Sequence, residues 1–87
     1  MKNTQVIIVE DDTVLRNSLT KWLSFEHQIS GYQSAEDLLE AINHFDHENE
    51  ISTCILIDYQ LPGINGNELQ SALRQLNIEY PIVFMSG

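Results

Sequence analysis

The sequence predicts an α/β fold in which a doubly wound parallel sheet carries helices on both faces. Two observations support this prediction. Short apolar runs recur along the chain, three of them strong and one weaker, as strands do in a sheet that buries both of their faces. Between them lie three stretches whose apolar residues repeat at helical spacing. Alternation of strand and helix favours parallel strands joined by right-handed crossovers.

The first strand and the first helix are predicted near the N-terminus. Residues 6–9 form a continuous β-branched run, which indicates a strand buried on both faces. A helical stripe follows, made of Leu15, Leu19, Trp22 and Leu23. Acidic residues just before this stripe suit a helix N-terminus, because the backbone dipole there favours negative charge. Asp12 is therefore read as a residue of the helix N-terminus.

The second strand and helix follow from a weaker pattern. Residues 28–32 are a candidate strand. Ser34 and Asp37 then resemble a capping box, with Asp in the place of the usual Glu or Gln. The helix that they begin has an apolar face made of Ala35, Leu38, Leu39 and Ile42. Residues 44–53 are polar and acidic, which predicts a loop.

The remaining residues predict a strand, a turn, a third helix and a fourth strand. Residues 54–57 and 81–85 are short apolar runs that indicate buried strands. Residues 61–63 contain Pro and Gly, which predict a turn. The third helix begins at residues 65–68. Its apolar face consists of Leu69, Ala72, Leu73 and Leu76.

Composition limits the classes of function. The chain has 87 residues, which suffice for one small domain. Its net charge of -9 disfavours direct binding to nucleic acid or to an anionic membrane.

Cys54 is the only cysteine, so no intrachain disulfide can form, and a reducing cytoplasmic location fits. The first apolar run is too short for a signal peptide or a membrane span. His44 and His47 lack metal-site spacing and are read as loop residues.

Polar side chains follow three of the predicted strands. Glu10 and Asp11 come directly after the first strand, Asp58 follows the third, and Ser86 follows the fourth. Since ligands of such sheets bind at the carboxyl ends of the strands, we expect these side chains to converge. Carboxylates about 5 Å apart repel by roughly 3 kcal/mol per pair at an effective dielectric of about 20. A cation, a raised pKa or both must offset this repulsion, and Mg²⁺ fits because it prefers oxygen ligands.

Two roles are open to Asp58 on this reasoning. Its carboxylate can bind the cation, or it can attack a phosphoryl donor to form an acyl phosphate. The cation would screen the repulsion between the two anions during transfer. Ser86 could donate its hydroxyl to a phosphoryl oxygen; otherwise it only ends a strand.

Three segments of the chain resemble the receiver domain of bacterial two-component response regulators. They are residues 6–12, 55–66 and 81–87, whose order and spacing agree with the family over the whole chain. Residues 33–36 and the final Ser-Gly are most similar to the FixJ-like branch. The resemblance implies a flavodoxin-like receiver fold and a histidine kinase as the phosphoryl donor. It also implies a signalling domain rather than a classified enzyme.

The resemblance also implies a role for each residue of the acidic pocket. Asp58 is the phosphoacceptor. Glu10 and Asp11 form the pocket and, with Asp58 and the backbone carbonyl of Gln60, hold Mg²⁺. Ser86 takes the position of the switch hydroxyl, which bonds the phosphoryl group and helps to pull the following loop inward. The loop beside the site is shaped by Pro62 and Gly66.

The chain departs from the family pattern after the fourth strand. A complete receiver continues through a helix, a fifth strand and a final helix, which carry a phosphate-binding Lys and an aromatic switch residue. Residues 1–87 are therefore predicted to be a partial receiver domain with an incomplete fold. Uncovered apolar surface on the first helix and an open fourth strand predict a fragment that is marginally stable or self-associates. We expect little or no phosphorylation of this fragment alone.

Two other functions compete with this reading. An aspartyl phosphatase of the haloacid dehalogenase type needs a second Asp two positions after the nucleophile, where this chain has Gln60. A non-phosphorylated interaction module is opposed by the retained acidic residues and Ser86, although the missing Lys leaves it open for the fragment. Many receivers precede a DNA-binding domain, so we expect transcription to be the output of the parent protein.

Overall fold

The computed structural model describes residues 4–44, 52–61 and 63–85. Its strands are β1 (Thr4–Val9), β2 (Gln28–Tyr32), β3 (Ser52–Asp58) and β4 (Ile82–Met85). Its helices are α1 (Thr13–Leu23), α2 (Ala35–Ile42) and α3 (Gly66–Gln75). The strands form one sheet in the order β2-β1-β3-β4, and every neighbouring pair is parallel. The predicted α/β class and parallel sheet are confirmed.

The chain winds in both directions from β1. The connection through α1 leads to β2 on one side, whereas β3 and β4 lie on the other side. Since parallel crossovers are right-handed, α1 covers one face of the sheet, and α2 and α3 cover the opposite face. Helix α1 accordingly contacts β1 and β2, while α2 packs beside α3.

The main core lies between the sheet and helices α2 and α3. Alternate side chains of the two central strands are fully buried there, namely Ile7, Val9, Ile55 and Ile57. They meet helix residues that the sequence pattern predicts, namely Leu38, Ile42, Leu69 and Leu73. Burying one such side chain is worth about 1.5–3 kcal/mol, so these contacts fix the register of the strands. Leu76, by contrast, is 46% exposed at the end of α3, so it does not belong to the predicted buried face.

Helix α1 is less buried than its sequence pattern predicts. Leu19 and Leu23 are half-buried, but Trp22 is 71% exposed and none of the residues of this helix is fully buried. Ile8 points to this side of the sheet, away from the main core, and has no exposed surface. Within the described residues, no helix has the length and apolarity needed to cross a membrane.

The predicted loop over residues 44–53 is wrong at its C-terminal end. Strand β3 already begins at Ser52, and Ser52 and Thr53 pair with Thr4 and Gln5 of β1. The Thr53 hydroxyl donates to Gln5 Oε1 at 3.4 Å, so polar side chains pair across these strand ends. Because these residues of β3 are polar, the apolar pattern of the sequence does not include them. Residues 45–51, which include His47, lie outside the described residues.

Candidate functional site

The topology brings the predicted acidic residues together. Strands β1 and β3 are neighbours, and Val9 pairs with Ile57, so the residues that follow each strand reach the same edge of the sheet. One carboxylate oxygen from each of Glu10, Asp11 and Asp58 lies within 4.8 Å of the others. The convergence of these three side chains, which their places after predicted strands suggested, is therefore observed.

The turn after β1 separates the roles of its acidic residues. The carboxylate of Asp12 accepts hydrogen bonds from the backbone N–H groups of Val14 at 2.9 Å and Leu15 at 3.1 Å. It thus caps α1, as predicted, and satisfies two of the N–H groups that a helix start leaves without partners. The Asp12 N–H itself donates to Glu10 Oε2 at 3.3 Å. This turn leaves Asp11 exposed and Glu10 buried.

Asp58 lies half-buried at the end of β3. Its Oδ1 accepts a hydrogen bond from the Gln60 N–H at 3.0 Å, which holds the carboxylate against the turn that follows the strand. The intervening Tyr59 N–H donates to the Met85 carbonyl at 2.8 Å. The loop after Asp58 is therefore attached to the end of β4.

Burial and like charge act together on Glu10. Only 3% of this residue is exposed. The pKa of its carboxyl is raised from 4.5 to about 6, mainly by burial, with smaller contributions from hydrogen bonds with Asp11 and Asp58 and from the negative charge of Asp58. The hydrogen bond from the Asp12 N–H acts in the opposite direction and lowers this pKa. The site thus favours neutralisation of one carboxylate unless a cation is present.

Two residues of the predicted site lie outside the described part of the chain. They are Ser86 and Pro62. Met85, directly before Ser86, pairs with Asp58 in the sheet, so β4 ends beside β3. The switch role of Ser86 stays a prediction, as does the use of the Gln60 carbonyl by a metal.

Sequence reasoning missed an aromatic pair beside the acidic cluster. The rings of Tyr59 and Phe84 meet edge to face with their centroids 6.1 Å apart. Phe84 also lies over Gly66, where an added Cβ would come within 2.1 Å of Phe84 Cε1. Gly66 therefore admits the ring to the first turn of α3. Its value as a close-packing position is visible only once β4 and α3 are in place.

A basic residue also supports the turn after β1. The Arg16 guanidinium donates from Nη1 to the backbone carbonyl of Glu10 at 2.6 Å. Sequence reasoning gave Arg16 no role in the site. A basic residue about one turn into the helix, after three consecutive acidic residues, was the signal that could have drawn attention to it.

Comparison with known proteins decides the family. Residues 6–87 match the family model described as the response regulator receiver domain. The chain belongs to the response regulator receiver family. Receiver domains of this family interact with histidine kinases and generally bind Mg²⁺ at an acidic pocket. Glu10, Asp11 and Asp58 form an acidic cluster of this kind in the present receiver.

Bacterial regulators are among the relatives of this receiver. Nodulation protein W of Bradyrhizobium diazoefficiens is 34% identical over 83 residues, which cover 94% of this chain and 34% of that protein. The transcriptional regulatory protein TdiR of Thauera aromatica is 32% identical over 84 residues, covering 94% of this chain and 34% of that protein. The receiver thus spans about a third of the length of these curated relatives.

A solved structure supports the fold independently. The crystal structure of FixJ-N superposes with a TM-score of 0.81 at 28% sequence identity, covering 100% of this chain and 66% of that chain. The flavodoxin-like receiver architecture and the similarity to FixJ are therefore confirmed.

Proposed function

We propose that this receiver is a phosphoacceptor in which Asp58 takes a phosphoryl group from the phosphohistidine of a histidine kinase. The observation that carries the proposal is the meeting of the Glu10, Asp11 and Asp58 carboxylates at the carboxyl edge of the sheet. Family membership supports it, because this edge is where ligands bind in doubly wound folds.

The donor set suits Mg²⁺. All three side chains offer carboxylate oxygens, the ligands that this hard cation prefers. Their oxygens lie within 4.8 Å of one another, close enough for one cation to be held directly or through bound water. We propose that the Gln60 carbonyl completes the protein ligands. Bound Mg²⁺ would neutralise charge on the phosphoryl oxygens and screen their repulsion from Asp58.

Each residue then has a step to perform. An oxygen of Asp58 attacks phosphorus, and a P–O bond forms as the P–N bond to the donor imidazole breaks. The electron pair of the broken bond stays with the imidazole nitrogen. The Gln60 N–H, 3.0 Å from Asp58 Oδ1, holds the nucleophilic carboxylate in place during the attack. We propose that the Ser86 hydroxyl donates to a phosphoryl oxygen of the product.

The output of the whole protein belongs to the same proposal. We propose a cytoplasmic regulator of transcription, in which residues 1–87 contribute the receiver and bind no nucleic acid themselves. The name of TdiR and the net charge of -9 on this segment support that division of labour.

Intact mass spectrometry tests the chemistry. The full-length protein is incubated with a small phosphodonor and Mg²⁺, and we expect a gain in mass of one phosphoryl group. Asp58→Ala should show no gain. Asp12→Asn is the matched control, because it removes a neighbouring charge but Asn caps a helix as well as Asp does. An unchanged mass for the native protein would leave a non-phosphorylated interaction module as the better description.

A further inference from the structure

The Arg16 side chain extends from the first turn of α1 back to Glu10, three residues before the helix begins. Its guanidinium Nη1 lies 2.6 Å from the carbonyl oxygen of Glu10, a short, charge-assisted hydrogen bond. This carbonyl belongs to the peptide group that joins Glu10 to Asp11. Because a peptide group is planar, holding its oxygen also fixes the direction in which the chain leaves β1 towards Asp11.

The path of the Arg16 side chain depends on a glycine in β2. A Cβ added at Gly31 would lie 3.3 Å from Arg16 Cδ and 3.4 Å from Cγ, so the aliphatic stem of Arg16 lies directly against this glycine. Gly31 pairs with Ile8 of β1, two residues before Glu10. The bare backbone at Gly31 thus gives the long side chain a route across the edge strand to the end of β1.

Both sides of the Glu10 backbone are held by this arrangement. The Glu10 N–H donates to the Tyr32 carbonyl of β2 at 3.0 Å, and the Glu10 carbonyl accepts from Arg16. The Asp12 N–H then holds the Glu10 carboxylate at 3.3 Å. Glu10 is therefore fixed at its amide, its carbonyl and its side chain, in a position that faces Asp11 and Asp58.

We propose that Arg16 is a positioning residue for the cation site of this receiver. It orients the Glu10–Asp11 peptide, through the Glu10 carbonyl, so that both carboxylates face Asp58. The inference rests on the proposed binding of Mg²⁺. Partners that orient metal ligands without touching the metal affect affinity by about 10–100-fold when they are removed.

Titration calorimetry with Mg²⁺ alone provides the test. Arg16→Met keeps an aliphatic stem but removes the donor and the charge, and we expect it to raise the Mg²⁺ dissociation constant about tenfold. Arg16→Lys retains a charged donor and should recover part of the affinity. Lys21→Met is the matched control, since it removes the same charge from the exposed last turn of α1 and should bind almost as the native protein does.

A second variant keeps the inference testable if Arg16→Met does not fold. Gly31→Ala pushes the Arg16 stem without changing any charge, and Gly31 is exposed, so this variant should fold and bind Mg²⁺ more weakly than the native protein. The amide NMR signal of Asp11 should shift in Arg16→Met and Gly31→Ala but not in Lys21→Met.

The outcomes separate the two proposals. If the native protein binds Mg²⁺ and both Arg16→Met and Gly31→Ala bind it equally well, the positioning role is overturned and the proposed function stands. If the native protein binds no Mg²⁺, the metal site of the proposed function fails and the positioning role fails with it.

Discussion

Glu10 is a carboxylate in a place that disfavours its charge. Its side chain is buried beside two other carboxylates, and its pKa rises from 4.5 to about 6 as a result. A raised folded-state pKa means that the folded protein holds this proton more tightly than the unfolded chain does. The contribution of the protonated Glu10 carboxyl to the free energy of unfolding is fully present below about pH 4.5 and is lost as the pH rises through about 6.

Removing this charge should stabilise the metal-free protein. We expect Glu10→Gln to raise the free energy of unfolding by up to about 2 kcal/mol near pH 8, because Gln avoids the cost of ionisation. The gain should disappear near pH 4, where Glu10 is already protonated. Urea denaturation in the presence of a chelator across this pH range measures both values. Glu79→Gln, at an exposed position, is the control. An equal gain at both pH values would contradict the assignment of the titration to Glu10.

Helix α3 begins beside the loop that follows Asp58, and its first turn carries a complete capping box. Asn65 Oδ1 accepts from the Glu68 N–H at 2.9 Å, and Glu68 Oε1 accepts from the Asn65 N–H at 3.4 Å. The cap fixes where the helix starts and hence where Gly66 meets Phe84.

Loss of this cap should weaken the element and leave the site chemistry intact. We expect Asn65→Ala to lower the free energy of unfolding by about 1 kcal/mol, whereas Asn65→Ser should stay close to the native value, because Ser also caps helices. Thermal unfolding followed by circular dichroism gives the comparison. Asn67→Ala, one residue inside the helix and exposed, is the control. A loss of the same size in Asn67→Ala would show that the cap is not responsible.

The elements of this receiver could be predicted because their signals are local. A continuous β-branched run marks β1, a capping pattern marks the start of α2, and apolar residues at helical spacing mark α3 in the sequence itself. The start of β3 could not be predicted in this way, since Ser52 and Thr53 belong to the strand through pairing with distant residues of β1. The acidic cluster was predictable because strand ends of a parallel sheet share one edge. The contact of Arg16 with Glu10 was not, since it depends on a side-chain path across Gly31.

At the scale of the whole molecule, apolar surface and charge remain exposed together. Trp22 is 71% exposed and Phe25 84% exposed on the side of α1, and Phe84 is 46% exposed at the edge strand β4. Self-association through such surfaces stays a prediction. The net charge of -9 opposes self-association, because molecules of like charge repel one another. Within one folded chain, the negative charges also repel one another.

The same charge makes cations general stabilisers of this protein, so specific binding must be separated from screening. With 13 Asp plus Glu against 4 Lys plus Arg, any salt weakens the repulsion between exposed charges. A cation that binds the folded state at the acidic cluster adds a further term, which reaches about 2.7 kcal/mol at 100 times the dissociation constant. Only this second term depends on Glu10, Asp11 and Asp58.

We therefore expect Mg²⁺ to raise the unfolding midpoint of the native protein beyond the rise produced by NaCl at the same ionic strength. In Asp58→Asn the excess over NaCl should shrink strongly, because one ligand of the proposed site is lost while most of the surface charge remains. Asp12→Asn carries the same change in charge outside the cluster and should keep the excess. Denaturant melts at several Mg²⁺ concentrations give the dissociation constant from the same data. An excess of equal size in all three proteins would mean that Mg²⁺ acts on the general negative charge and not at the carboxyl edge of the sheet.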